Sequence, residues 1–195
     1  MKYLLALALA LSLPPLAQAA KTEKWSVDPS SSSVNWDATK IGGSHQGSVK
    51  IKSGALTTDK AGLAGGEFLV DMNSLAITDG TSEEMKKKLD AHLRSDDFFS
   101  VEKNPTAAMK ITKVGPMKDG KQEVSGNLTI KGITKPISFP ATITNDGKGL
   151  NAKAEFQVDR TAYDIKYRSL KFFSDLGDKV IHDKFTLKVD LNAKK

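Results

Sequence analysis

From residue 34 onward, apolar and polar positions alternate with a period of two in one run after another, and turn-forming residues separate the runs. Val34, Trp36 and Ala38 alternate with Asn35, Asp37 and Thr39, and Val49 and Ile51 sit between Ser48, Lys50 and Lys52. Phe68, Val70 and Met72 follow a Gly65-Gly66 turn; Ala107, Met109 and Ile111 follow Pro105. Val124, Gly126, Leu128 and Ile130 come after an Asp119-Gly120 hairpin signal, then Ile137, Phe139, Ala141 and Ile143. A turn at Asn145-Asp146-Gly147 precedes Leu150, Ala152, Ala154, Phe156 and Val158, and the last run is Phe185, Leu187, Val189 and Leu191. These runs predict eight strands, most with one apolar and one wet face, as an antiparallel sheet with one side in water requires.

One segment follows another period. Met85, Leu89 and Leu93 recur at i, i+4 and i+8 with Lys86, Lys87 and Lys88 between them, which predicts a single short amphipathic helix over about 82–93. Thr81 with Glu84 fits a capping box, and Asp79-Gly80 supplies the turn before it. Phe98, Phe99 and Val101 would continue the apolar surface of the helix.

Eight amphipathic antiparallel strands must hide one face and protect their edges, and closure into a barrel or a strongly curved sandwich does both. The inward set mixes large residues (Trp36, Phe68, Met72, Met109, Phe139, Phe156) with small ones (Ala38, Ala107, Gly126, Ala141, Ala152, Ala154), which suits a barrel. The small residues fit either the taper of a filled interior or a cavity for one ligand.

Composition narrows this picture. Met1-Lys2, an apolar run from Leu4 to Leu13 and Ala17-Gln18-Ala19 read as a signal peptide over residues 1–19, with one domain over 20–195. The run is shorter than the roughly 20 apolar residues that span a bilayer. The chain has no cysteine, which excludes disulfides, thiolate chemistry and a lipoprotein anchor. A soluble, exported, periplasmic protein is expected. Its 29 basic and 23 acidic residues give a net charge of +6. The excess is spread as single lysines over polar strand faces, so no nucleic-acid partner is expected, and attraction to an anionic membrane is the functional alternative to a merely solvated face.

Candidate chemistry is sparse. His45, His92 and His182 have no metal-ligand spacing, so no metal is expected. His92 and Arg94 suit a helix C-terminus, with Asp96 fixing the next turn, better than a Ser-His-Asp triad. Glu83 and Glu84 suit the first turn of a helix. Asp159-Arg160 could close a barrel end by an ion pair or meet a ligand head group. No phosphate-binding glycine loop is present, so no nucleotide or other cofactor is expected. Tyr163, Tyr167, Phe172 and Phe173 form an aromatic group that could plug a loop or gate a cavity.

Several stretches resemble the YceI-like proteins, exported bacterial proteins that bind lipids or polyisoprenoids. They are Trp25-Ser-Val-Asp-Pro29 with Ser32-Ser-Val34; His92 to Phe99 running into Val101 to Thr106; Gly126 to Pro136; Asp159-Arg-Thr161 with Ile165-Lys-Tyr167; and Leu176-Gly-Asp178. Two places depart from the family pattern: Ser31, where many members carry His, and Ile41 to Gly47. The resemblance implies a lipocalin-like antiparallel barrel enclosing an apolar channel, and it allows a homodimer.

On this basis the expected function is non-enzymatic binding, storage or transport of an isoprenoid-like or other long-chain lipid. Alternation supplies the candidate lining: Trp36, Phe68, Val70, Met109, Ile111, Leu128, Phe139 and Phe156. Leu89, Leu93, Phe98 and Phe99 form a cover from the helix side. No catalytic residue is expected, because the inward sets hold no polar group. An enzyme would need His92, Asp96 or Arg160 inside the cavity and within reach of one another. A solidly filled barrel would point instead to a module that binds membranes or proteins.

Overall fold

The computed structural model describes residues 21–195, so the signal peptide expected over residues 1–19 lies outside the described residues. The elements are β1 (Glu23–Val27), β2 (Ser33–Lys40), β3 (Gly43–Asp59), β4 (Gly62–Ile77), α1 (Glu83–Arg94), β5 (Thr106–Lys118), β6 (Lys121–Ile130), β7 (Ile133–Asn145), β8 (Gly149–Asp159) and β9 (Ile181–Lys194). Short 3-10 turns occupy Arg160–Tyr163 and Gly177–Lys179. From β2 onward each strand pairs antiparallel with the next, and β9 returns to β2, closing an up-and-down barrel. The eight predicted strands are β2 to β9.

Alternation alone missed β1. It shares one position in the wall with β2: Ser26 pairs with Ala55 of β3 and Lys194 of β9, whereas Val34 pairs with Val49 and Val189 farther along the same two strands. The wall is therefore eight strands round, with one of the eight built from two successive pieces. The turn between them is held by Asp28, whose carboxylate accepts from Ser30 N (3.0 Å) and Oγ (2.6 Å) and from Lys194 Nζ (2.9 Å). The Ser30 and Lys194 donors hold that carboxyl well below the usual carboxylate range.

Trp25 anchors β1. Its indole is fully buried, and Nε1 donates to Thr58 Oγ1 at 2.9 Å. A Thr58→Val substitution keeps the shape and leaves a buried donor without its acceptor, so a loss of about 1–3 kcal/mol is expected in denaturant unfolding. An unchanged midpoint would show that the bond contributes nothing.

β3 and β4 are the longest strands, at 17 and 16 residues, and their shared register shifts near Ser48, Ile51 and Thr57. The bulges break strict alternation, which is why only their middles are legible in sequence. Gly65-Gly66 is not a turn. Both lie inside β4 opposite Thr57 and Leu56, and the hairpin bends at Lys60–Ala61 instead. Gly66 has φ +150°, and a Cβ there would crowd the Ala55 carbonyl, so a glycine is needed for the bend and not for a connection.

The helix begins one residue later than the capping-box reading. Ser82, not Thr81, is the N-cap and accepts from Met85 N at 3.4 Å. Asp79 fixes the approach by accepting from Thr81 N (2.9 Å) and bonding His45 Nδ1 (2.8 Å). Of the predicted stripe, Leu93 is buried and Leu89 is packed partly against the core, but Met85 is exposed.

Both ends of the barrel are covered. At one end lie the β2–β3 connection, α1 with residues 95–105, and residues 160–180. At the other lie the hairpins around Lys60, Asp119 and Asp146 and both ends of the described chain. Gln122 is buried at this second end, where its Oε1 accepts from Leu63 N (2.9 Å) and its Nε2 donates to Gly115 O (3.1 Å).

Candidate functional site

The inward side chains do not fill the barrel. A chamber of about 130 Å³ lies under α1, and a smaller one of about 40 Å³ lies toward the opposite end. Phe68, Met109, Phe156 and Val189 border both chambers and form the partition between them. Phe139 stacks on Phe156 with ring centroids 4.0 Å apart, which stiffens one side of this partition. Met109 is its adaptable member, since a thioether chain with three rotatable bonds yields more readily than a ring.

Eleven of the twelve residues expected to face a ligand border this space. Trp36, Val70, Leu128, Leu93, Phe98 and Phe99 line the larger chamber; Ile111 and Phe139 line the smaller; Phe68, Met109 and Phe156 touch both. Leu89 does not reach either chamber and packs behind the wall. Several inward residues, among them Phe68, Phe156, Phe185 and Leu187, are only partly buried, although the strand pattern turns them inward. They pack against the core on one side and turn the rest of their surface to the chamber.

Trp36 needs a glycine opposite it. Its ring lies over Gly47 of β3, where any Cβ would overlap both the indole and the Ala76 carbonyl. Gly47 thus seats the Trp36 ring, which lines the larger chamber. The Trp36 Nε1 is buried and has no hydrogen-bond partner among the described residues.

Sequence reasoning singled out Arg160 as a residue that could close a barrel end, but not Ile165, Ile181 or His182 beside it. All four border the larger chamber, and apart from Arg160 and His182 every lining side chain is apolar. The Arg160 guanidinium, 5% exposed, donates to three backbone carbonyls: His182 (3.0 Å), Ile165 (2.8 Å) and Ile181 (2.8 Å). Its Nη2 also lies 3.6 Å from Asp183 Oδ1. Of the two roles open to Asp159-Arg160, this geometry assigns closure of the barrel end. Burial pushes the Asp159 carboxyl up, but Lys171 Nζ at 2.7 Å and the Thr161 donors outweigh it and hold the group below its ordinary value.

Of the other candidates, His182 borders the larger chamber and the rest lie apart from it. His92 Nε2 bonds Asp97 at 3.0 Å, not Asp96, and its ring packs edge-on against Phe98 and Tyr167. Asp96 binds Ser100 and Lys103 and does not line the chamber. His45 is tied to Asp79, and His182 Nδ1 to Thr39 Oγ1 at 2.6 Å. Among the described residues no group of three metal-ligating side chains is assembled. The expected aromatic group divides: Tyr163 is buried and Tyr167 packs on the helix end, whereas Phe172 and Phe173 are exposed.

A closed antiparallel barrel with a lid helix and an apolar internal chamber defines the lipocalin-like class of binding folds. Residues 25–193 match the YceI-like domain, and the chain belongs to that family. A UPF0312 protein of Pectobacterium carotovorum is 33% identical over 134 residues, covering 67% of this chain and 65% of the relative. A UPF0312 protein of Pseudomonas putida is 32% identical over 145 residues, covering 73% of each. Among solved structures, Burkholderia cenocepacia BcnA superposes with a TM-score of 0.67 at 20% identity, over 86% of this chain and 99% of BcnA. A polyisoprenoid binding domain from Saccharophagus degradans, implicated in plant cell wall breakdown, gives 0.60 at 15% identity, over 87% and 97%. At such identities these structures share the fold.

Proposed function

We propose that the protein binds an isoprenoid-like or other apolar lipid chain in the barrel, without transforming it, and works in the periplasm behind its signal peptide. The observation that carries this reading is the larger chamber, walled by apolar side chains, with its one buried cation committed to backbone carbonyls. A related fold described as a polyisoprenoid binding domain supports the ligand class.

Magnitudes set the terms of binding. A cavity of about 130 Å³ is close to the roughly 150 Å³ that admits a benzene ring, so at rest it accommodates about one isoprene-sized segment. A longer chain must displace Met109 and enter the smaller chamber. Each buried methylene-sized group contributes about 0.8 kcal/mol, and ten reach about 8 kcal/mol, the scale of micromolar affinity before ordering costs.

The test is to purify the protein from the periplasmic fraction, confirm that it begins at Ala20, and analyse its organic extract by mass spectrometry. The expected extract contains a prenyl or other long-chain lipid, and an added prenyl alcohol is taken up and returned with unchanged mass. A protein that is empty and also refuses the added alcohol overturns the binding reading. A chemically altered product overturns the non-catalytic one.

A further inference from the structure

The segment from Ile165 to Ser174 carries three large apolar side chains in water: Leu170 is 65% exposed, and Phe172 and Phe173 are each 47% exposed. Ile41, at the tip of the β2–β3 connection, is exposed as well and is joined to the same segment's end by a hydrogen bond from its backbone N–H to Val180 O. All four belong to the barrel end that closes the larger chamber, where Ile165 and Ile181 are part of the chamber wall. The same ten residues hold three cations, Lys166, Arg168 and Lys171, and no acid; Lys166 reaches back to Asp164 (2.6 Å) and Lys171 to Asp159 (2.7 Å), whereas Arg168 has no acidic partner among the described residues. Lys166 Nζ stands 5.3 Å from the Phe172 ring centroid, and the Arg168 guanidinium 5.1 Å from that of Tyr167.

We propose that this segment docks the barrel onto an anionic phospholipid bilayer, with Leu170, Phe172 and Phe173 entering the headgroup–acyl boundary and Lys166 and Arg168 meeting lipid phosphates. The apolar side chains and the interleaved cations together match such a surface in hydropathy and in sign, and long basic side chains keep their charge at the headgroups while their stems lie among apolar neighbours. Size argues against a second copy of the chain as occupant. The four exposed side chains offer roughly 400 Å² of apolar surface at most, about half of the roughly 800 Å² per partner that a stable interface buries. The choice of a bilayer over a protein also rests on the lipid-holding reading of the chamber: a mouth seated on a membrane lets an apolar chain pass between bilayer and barrel without crossing water.

Sedimentation with vesicles of phosphatidylethanolamine and phosphatidylglycerol, compared with phosphatidylcholine alone, tests this. The full protein is expected to partition onto the anionic vesicles. The triple variant Leu170→Ser, Phe172→Ser, Phe173→Ser should lose at least about tenfold in partition. Arg168→Gln should lose about fivefold, an effect that fades as salt is raised. Leu170, Phe172 and Phe173 are exposed, Arg168 is half-buried, and none of the four lines the chamber, so the variants should unfold close to the wild-type temperature. Wild-type protein that stays in the supernatant, or a triple variant that binds as wild type does, overturns the proposal. So does a wild-type dimer in analytical ultracentrifugation that the triple variant abolishes, which would give the patch to a second copy. Uptake of farnesol in the absence of vesicles reports on the chamber alone and separates failure of docking from failure of lipid binding.

Discussion

Ala107→Phe should abolish lipid uptake while leaving the barrel intact or more stable. Ala107 is buried on β5, opposite Val70 of β4, and lines the larger chamber. A phenyl ring placed there occupies the space that a guest would take, because a chamber of about 130 Å³ is close to the volume that one benzene ring fills. Over-large side chains in a packed core cost about 1–3 kcal/mol through strain. Here a void receives the ring, and eliminating a cavity of this size offers up to about 3 kcal/mol at ~24 cal/mol per Å³. The expected outcome is a loss of at least about 100-fold in affinity for a fluorescent prenyl probe, together with an equal or higher melting temperature. A variant that melts normally and binds the probe as tightly as the wild type would remove the chamber from consideration as the binding site.

Arg160→Met should weaken the fold more than any surface change. Methionine nearly matches the length of arginine, but the carbonyls of His182, Ile165 and Ile181 lose their donor. Asp183 loses one of its two cations and keeps Lys171 Nζ, 3.5 Å from its Oδ2, while its Oδ1 is already buried without a hydrogen bond among the described residues. Each buried carbonyl left without its donor costs about 1–3 kcal/mol, so losing the three contacts of one buried guanidinium should cost about 3–5 kcal/mol together. At roughly 2–4 °C per kcal/mol for a domain of this size, the melting temperature should fall by about 6–20 °C. Arg160→Lys should recover little, because one ammonium cannot serve three carbonyls spread across a guanidinium fork. A melting temperature unchanged in Arg160→Met would mean that other contacts seal this end of the barrel.

The sequence showed the barrel wherever strands are regular and one face is wet. β5 to β9 alternate cleanly, and the residues taken from their inward positions border the chambers. Legibility failed where the backbone departs from a period of two. In β3 and β4 the register shifts hide about two thirds of each strand, and Gly65 and Gly66 read as a connection because glycine in a bent strand carries the same local signal as glycine in a turn. β1 was missed because a five-residue strand offers only Trp25 and Val27 as pattern. The closing segment from Arg160 to Val180 has no periodicity at all. Its arginine could be singled out as unusual, but its partners are three backbone carbonyls, and no residue type announces those. Leu89 shows the opposite error: helical spacing places it on the correct face but does not say how far the chamber reaches.

The seam of the barrel bears on when the protein can fold. Neighbours in sequence are neighbours in the wall except where β1 pairs with β3 and where β9 meets β1 and β2, and Lys195 Nζ lies 3.2 Å from Glu23 Oε2. Joining partners about 150 residues apart carries a loop-closure cost of about 4 kcal/mol, which no local hairpin bears. Until β9 is available, the strands already made form an open sheet with two bare edges and an unroofed apolar face. A chain of this topology stays threadable until its last fourteen-residue strand is released, and the ring then shuts in one cooperative step. Placing the keystone strand last among the nine delays closure of the ring until every other strand is in place.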